Sequence, residues 1–153
     1  MAEPMTEERV LLEQYKLYVE MADRVSSRRV QTNRFYVTLL SGILAVVAVV
    51  IEKNLLSKVQ APILMAMSLL GIFLNTVWFV NIRSYRQLNT AKFKVIHEME
   101  KRLPFAGYDR EWEFLGRGHD KSKYLQLTLS ESYVPCLLIL PYLVLLFYSF
   151  TLL

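Results

Sequence analysis

The sequence predicts an all-α integral membrane protein with three transmembrane helices, the second continuing as a long cytoplasmic stem helix, and an N-terminal amphipathic helix ahead of the first span. Three observations carry this expectation. Hydrophobic residues fill 54% of the 153 positions, above the apolar share of ordinary soluble domains. Of the 18 basic and 14 acidic residues, only Glu52, Lys53 and Lys58 fall between Arg34 and Arg83, and none follows Glu131. Gly and Pro number five each and Cys136 stands alone, which excludes collagen-like, disordered and disulfide-stapled chains.

The first segment, residues 1–33, begins with Thr6 as a helix N-cap and with Glu7 and Glu8 in the first turn, where they complement the helix dipole. Leu11, Tyr15, Tyr18, Ala22 and Val25 recur at spacings of four and three, so they share one helical face. Acidic and basic residues occupy the other sides. That balance suits packing against another helix better than lying on a membrane as a basic surface helix. The acidic opening residues contain no short apolar run before a small-residue cleavage site, so no removable signal peptide is expected and the first span directs insertion.

Residues 34–82 form the predicted transmembrane hairpin. Residues 35–51 are 17 uncharged positions, about 26 Å at roughly 1.5 Å per residue, a length that snorkelling by Arg34 and Glu52 extends to a hydrocarbon core of about 30 Å. Val59 to Ile82 supplies a further 24 uncharged residues. Within the second span Ser68, Gly71, Asn75 and Trp78 recur at three, four and three, a small and polar stripe expected at a subunit contact or along a pore. In the contact reading Gly71 permits close approach and Asn75 bonds across the interface; in the pore reading the amides line water. The absence of any ionisable side chain there argues against a proton relay or a charge-selective filter. Thr38, Ser41, Ala45 and Ala48 make a second small-residue stripe on the first span.

Residues 83–132 read as the stem helix and an aromatic loop. No Gly or Pro lies between Ile72 and Leu103, so the second helix is expected to run on from Ala61 to Arg102 and then stop before Pro104. Leu88, Val95 and Met99 form a near-heptad line, with Phe93, Ile96 and Leu103 partly around the cylinder. Two apolar sides call for two neighbours. Phe105, Tyr108, Trp112, Phe114 and Leu115 are too apolar for a solvated linker and predict a compact loop with a short helix around Arg110 to Leu115. The last segment, residues 133–153, is expected to span as a helix from Val134 to Leu153, with Pro141 freeing the carbonyl of Leu137 and kinking it.

Orientation follows from basic residues. Arg24, Arg28, Arg29 and Arg34 precede the first span, Lys53 and Lys58 lie in the connection, and Arg83, Arg86, Lys92 and Lys94 follow the second. This bias predicts a cytoplasmic N-terminus, with Arg28, Arg29, Arg34 and Arg83 as membrane-surface anchors facing anionic lipid headgroups. The net charge of +4 is accounted for in this way without a nucleic-acid partner, since no basic stretch carries aromatic stacking positions.

The strongest enzymatic lure is GRGHDK at 116–121. Its spacing fits neither the P-loop nor the dinucleotide fingerprint, and it reads as a Gly-hinged turn. His97 reads as an ordinary stem histidine, Glu98 and Glu100 as ion-pair partners, and Cys136 as a small hydrophobe. No catalytic residue, cofactor or metal site is expected.

YKLYVEMADRVSSRRVQTNRFY before the first span, RSYRQLNTAKFKVIHEMEKRLPFAGYDREWEFLGRG after the second, and YLQLTLSESYVP leading to the third together resemble the RipA-like family of octameric bacterial inner-membrane proteins. More distantly, the Arg-rich helix running into a two-span hairpin is similar to the SLATT effector domains of bacterial conflict systems. The resemblance implies a homo-octamer in the bacterial cytoplasmic (inner) membrane with a helical cytoplasmic portion, and it brings no catalytic residues. The expected function is a non-enzymatic homo-oligomeric assembly acting as scaffold or pore. The alternative is a membrane-anchored sensor or adaptor whose cytoplasmic loop docks a soluble partner.

Overall fold

In the computed structural model, residues 6–53, 59–119, 122 and 127–152 are described. Among them the chain forms α1 (Glu7–Glu52), α2 (Gln60–Glu100), α3 (Gly107–Phe114), a short 3-10 turn (Gly116–Gly118) and α4 (Leu127–Thr151). Three of these helices are long and apolar enough to cross a membrane. Lys58, Asp120 and Lys121, which figure in the sequence reading, lie outside the described residues.

The N-terminal amphipathic helix and the first span are a single helix, because no proline occurs between Pro4 and Pro62 and the one glycine of that stretch is Gly42. α2 opens with Pro62 in its first turn, where its missing N–H costs nothing. It ends two residues short of the expected Arg102: Arg102 N–H and Leu103 N–H donate to the carbonyls of Met99 and Glu100 at 3.0 Å each, tightening the last turn. α3 begins at Gly107, earlier than the Arg110 expected. α4 begins at Leu127 rather than Val134 and stays helical across Pro135 and Pro141. Both starts lie earlier than hydropathy marks them, and α3's is set by tertiary bonds, the Glu100 carboxylate accepting the Tyr108 and Asp109 amides.

The chain divides into two compact units. The stem unit holds residues 1–29 and 84–127, and the span unit holds residues 30–83 and 128–153. In the stem unit Leu11 and Ala22 of α1 and Ile96 of α2 are buried. Tyr15 bonds Glu100 and the Lys92 ammonium lies over the Tyr18 ring. As the α1 number rises the α2 number falls, so the two helices run antiparallel here.

In the span unit, α2 buries Ala61, Leu64, Ser68, Gly71, Asn75, Trp78 and Ile82. They alternate at three and four residues, which is the seam of a helix packed on neighbours. α4 buries Pro135, Tyr142 and Ser149 at seven-residue intervals, and α1 buries Leu40 and Val47. Leu40, Trp78, Ile82 and Tyr142 form the central cluster, with Tyr36, Ile43, Ile72 and Leu138 packed against it. Tyr142 joins all three helices. Its ring lies where a Cβ on Gly71 would be, and its hydroxyl donates to the Leu40 carbonyl at 2.7 Å.

Gly71→Ala should therefore force the Tyr142 ring off its seat, an overpacking change that costs on the order of 1–3 kcal/mol. Tyr142→Phe keeps the ring and removes only the hydroxyl bond, worth about 0.6–2 kcal/mol in a membrane. Thermal melting of the detergent-solubilised protein should rank Gly71→Ala below Tyr142→Phe; equal melting points would mean that the ring is not packed against Gly71.

Candidate functional site

The span stripe comes first. Ser68, Asn75 and Trp78 are each about 1% exposed, and Gly71 is buried with them. The stripe that the sequence places at a subunit contact or pore is covered inside one chain, by Tyr142 of α4 and by α1. Asn75 also differs from expectation. Its amide Nδ2–H donates back to the Gly71 carbonyl at 2.9 Å within its own helix, rather than across an interface. Ser68 does the same to Leu64 at 2.7 Å. Such i−4 bonds are open to short polar side chains on any helix, which is why no partner helix was needed. Asn75 Oδ1 is the seam's one polar side-chain atom without a hydrogen-bond partner among the described residues.

Toward one end of the spans a polar collar links α1 to α2. Trp78 Nε1–H donates to Asn33 Oδ1 at 2.9 Å, Asn81 Nδ2–H donates to the Tyr36 hydroxyl at 3.3 Å, and the Tyr36 and Trp78 rings stack with centroids 5.8 Å apart. Tyr and Trp whose polar tips are hydrogen-bonded are typical of the membrane–water boundary. The expected anchors Arg34 and Arg83 are both exposed at this level of the sequence, and the Arg83 guanidinium rests over Phe79 at 5.9 Å. Arg28 is exposed and Arg29 half-buried in the stem unit. The collar's Asn residues escaped the sequence reading because Asn33 and Asn81 stand singly outside the stripe.

The stem unit holds the most concentrated polar chemistry. Glu100, expected as an ion-pair partner, is 1% exposed and meets no cation among the described residues. One carboxylate oxygen accepts the Tyr15 hydroxyl at 3.0 Å and the Tyr108 N–H at 2.8 Å, and the other accepts the Asp109 N–H at 3.0 Å. The two amides are orphan donors of the first turn of α3. Glu100 thus caps α3 from a different helix, and the positive end of that helix stands in for a basic partner. Tyr15 responds: burial, then its bond to Glu100, then the carboxylate's charge push its phenol up to about 12 from the ordinary 10.0. Tyr108 is shifted upward as well, by burial first and then by Asp23, Glu111 and Glu100.

Of the line Leu88, Val95 and Met99, Leu88 is 47% exposed while Val95 and Met99 are half-buried, so the chain itself covers this line only in part. Beyond α3, Gly116, Arg117 and Gly118 all take positive φ of 67°, 52° and 73°. The two glycines accept this freely, and Arg117 is steadied by its bond to Glu113 at 3.0 Å. Arg117 first and then Arg110, through their hydrogen bonds, pull the exposed Glu113 carboxyl below its usual range. The described part of the GRGHDK motif is therefore the short 3-10 turn that follows α3. No group of three His, Cys, Asp or Glu side chains is placed to hold a metal ion among the described residues. Cys136 is exposed on α4, and His97 lies beside the Phe93 ring.

Among known families, the model described as the octameric membrane protein family (8xMP) matches residues 12–151. No curated protein and no solved structure matches the chain.

Glu100→Ala should strand the two α3 amides and the Tyr15 hydroxyl, at a cost of about 1–3 kcal/mol for each buried group left unpaired. Hydrogen exchange at residues 107–114 should accelerate while the spans stay protected. The raised Tyr15 pKa favours the folded state below about pH 10, and that stability is lost as pH climbs from 10 toward 12. In a phenolate titration Glu100→Gln should move the Tyr15 component to lower pH; an unchanged titration would mean that the carboxylate does not hold the phenol.

Proposed function

The chain belongs to the octameric membrane protein family, and on that premise we propose that it works as a non-enzymatic homo-oligomeric scaffold of the bacterial inner membrane rather than as a pore. One observation carries the choice. The polar stripe best suited to line water, Ser68, Gly71, Asn75 and Trp78, is buried by the chain's own helices, and the outward faces of the spans show Val46, Leu69, Phe73, Leu137, Val144 and Phe147. Such a surface suits lipid and other helices and offers water little.

Two faces that the chain itself leaves open or only partly covered serve assembly. In the stem unit it is the line Leu88, Val95 and Met99. In the span unit it is Thr38, Ser41, Ala45 and Ala48, all exposed, beside Gly42, where an added Cβ would meet nothing within 4 Å. Small residues on an open face let a neighbouring helix approach closely. Arg28, Arg29, Arg34 and Arg83 hold the cytoplasmic boundary through anionic headgroups, with the N-terminus inside. A second reading, an adaptor that docks a soluble partner, is favoured by Phe105 and Phe114, 74% and 73% exposed on the segment around α3.

Val95→Asp with Met99→Asp should shed subunits in light scattering, since a charge forced into a helix contact without a partner commonly costs about 3–5 kcal/mol, whereas Lys94→Ala should leave the particle unchanged. An intact particle for the double aspartate variant would remove the stem face from the assembly. Purified protein in liposomes should pass no ions; steady flux would overturn the scaffold reading in favour of a pore.

Topology is tested separately. In a Cys136→Ser background, an impermeant thiol reagent outside intact cells should label Leu152→Cys and spare Glu111→Cys. The reverse pattern would invert the orientation.

A further inference from the structure

The stem unit carries two apolar lines of the same spacing on different helices, one exposed and one covered only in part by the chain itself. On α2 it is Leu88, 47% exposed, with Val95 and Met99 half-buried. On α1 it is Val10, Leu17 and Met21, which are 36%, 54% and 38% exposed. Each runs seven residues and then four, the repeat of a helix seam that has lost its partner. Their charge differs in sign. From Glu7 to Arg24, α1 holds five acids against Arg9, Lys16 and Arg24; from Ser84 to Arg102 there are five bases against Glu98 and Glu100. Glu13 and Glu20 flank the α1 line, paired at the surface with Lys16 and Arg24 of the same helix, while exposed Arg102 lies beyond the end of the α2 line.

Copies of one chain inserted in one bilayer share an orientation. A dihedral assembly would turn half of them upside down, so eight equivalent copies can close only by rotation about an axis along the membrane normal. In such a ring each subunit meets the next through two different faces, never through the same face twice. A self-complementary patch would join two copies and stop. Two unlike lines of opposite charge are what a closing ring requires.

We propose that the α1 line Val10, Leu17 and Met21 of each subunit packs against the α2 line Leu88, Val95 and Met99 of the next copy, as the repeating contact of the ring. This rests on the homo-oligomer reading above. It also fixes the register. Rotation about the ring axis preserves height along the stem, and within one chain Tyr15 lies level with Glu100 and Tyr18 with Lys92. Leu17 and Val95 therefore meet at one height. Val10 and Leu88 fall far apart, roughly 20 Å along the helices at ~1.5 Å per residue. The net acidic excess of the α1 segment and the net basic excess of the α2 segment discriminate against a pairing of like faces.

Cysteine cross-linking in a Cys136→Ser background tests it, because a disulfide forms only when the two Cβ atoms come within about 4.5 Å. Leu17→Cys and Val95→Cys are placed in separately tagged chains, co-expressed and mildly oxidised. The expected product is a dimer carrying both tags, with no product from Val10→Cys paired with Leu88→Cys. One chain bearing both Leu17→Cys and Val95→Cys should give a ladder of covalent multimers rather than dimers alone. Dimers from Val95→Cys by itself would overturn the proposal in favour of a like-to-like contact. Absence of cross-links in a particle that light scattering finds intact would overturn it too. A monomer by light scattering, before oxidation and without substitutions, would instead sink the assembly reading beneath it.

Discussion

The span unit turns on one contact, the Tyr142 ring seated over Gly71. Between helices in lipid there is no hydrophobic drive, since the tails are as apolar as the side chains, so association rests on close packing and on hydrogen bonds. Gly71 supplies the first by leaving room for a ring, and Tyr142 supplies the second by donating its hydroxyl to the Leu40 carbonyl. One side chain of α4 thereby ties α1 and α2. The same contact closes the stripe of small and polar residues on α2, and Ser68 and Asn75 then satisfy their donors on their own backbone instead of facing water. Within the single chain the stripe is a groove in which the Tyr142 ring of α4 sits over Gly71.

The stem unit obeys a different constraint. A buried carboxylate needs its lone pairs filled, and Glu100 fills them with a phenol and with the first amides of α3. Replacing a cation by a helix N-terminus keeps the charge compensated without a long flexible partner. It also fixes where α3 begins, and the Phe93 and Tyr108 rings meet edge to face at 5.6 Å beside it. The aromatic segment after Pro104 is thus held by polar bonds as much as by its apolar surface, while Phe105 and Phe114 remain outside.

Periodicity made much of this legible. The three uncharged runs coincide with the three apolar helices, the absence of Gly and Pro after Ile72 marks the long α2, and the Leu11–Tyr15–Tyr18–Ala22 face is the one turned inward. The stripe Ser68, Gly71, Asn75 and Trp78 was also readable as a packed face. Its occupant was not, because periodicity says that a face is covered and is silent on whether the cover comes from the same chain. Tyr142 lies in an apolar run where nothing distinguishes it from its neighbours, and only the space over Gly71 reveals its role. Glu100 was hidden for the opposite reason: among stem charges a carboxylate suggests a lysine or arginine, and its real partners are backbone amides that no residue type announces.

The central claim is that the polar stripe is internal packing in the assembled protein and not the wall of an aqueous path. Ser68→Cys changes one atom on that stripe, and in a Cys136→Ser background it is the protein's sole thiol. Its reaction with a small, water-soluble, membrane-impermeant thiol reagent, followed on the intact assembly in lipid, reads the matter directly. Packing against Tyr142 predicts no labelling until the protein is denatured, whereas prompt labelling in the folded assembly would place water along the stripe and contradict the account.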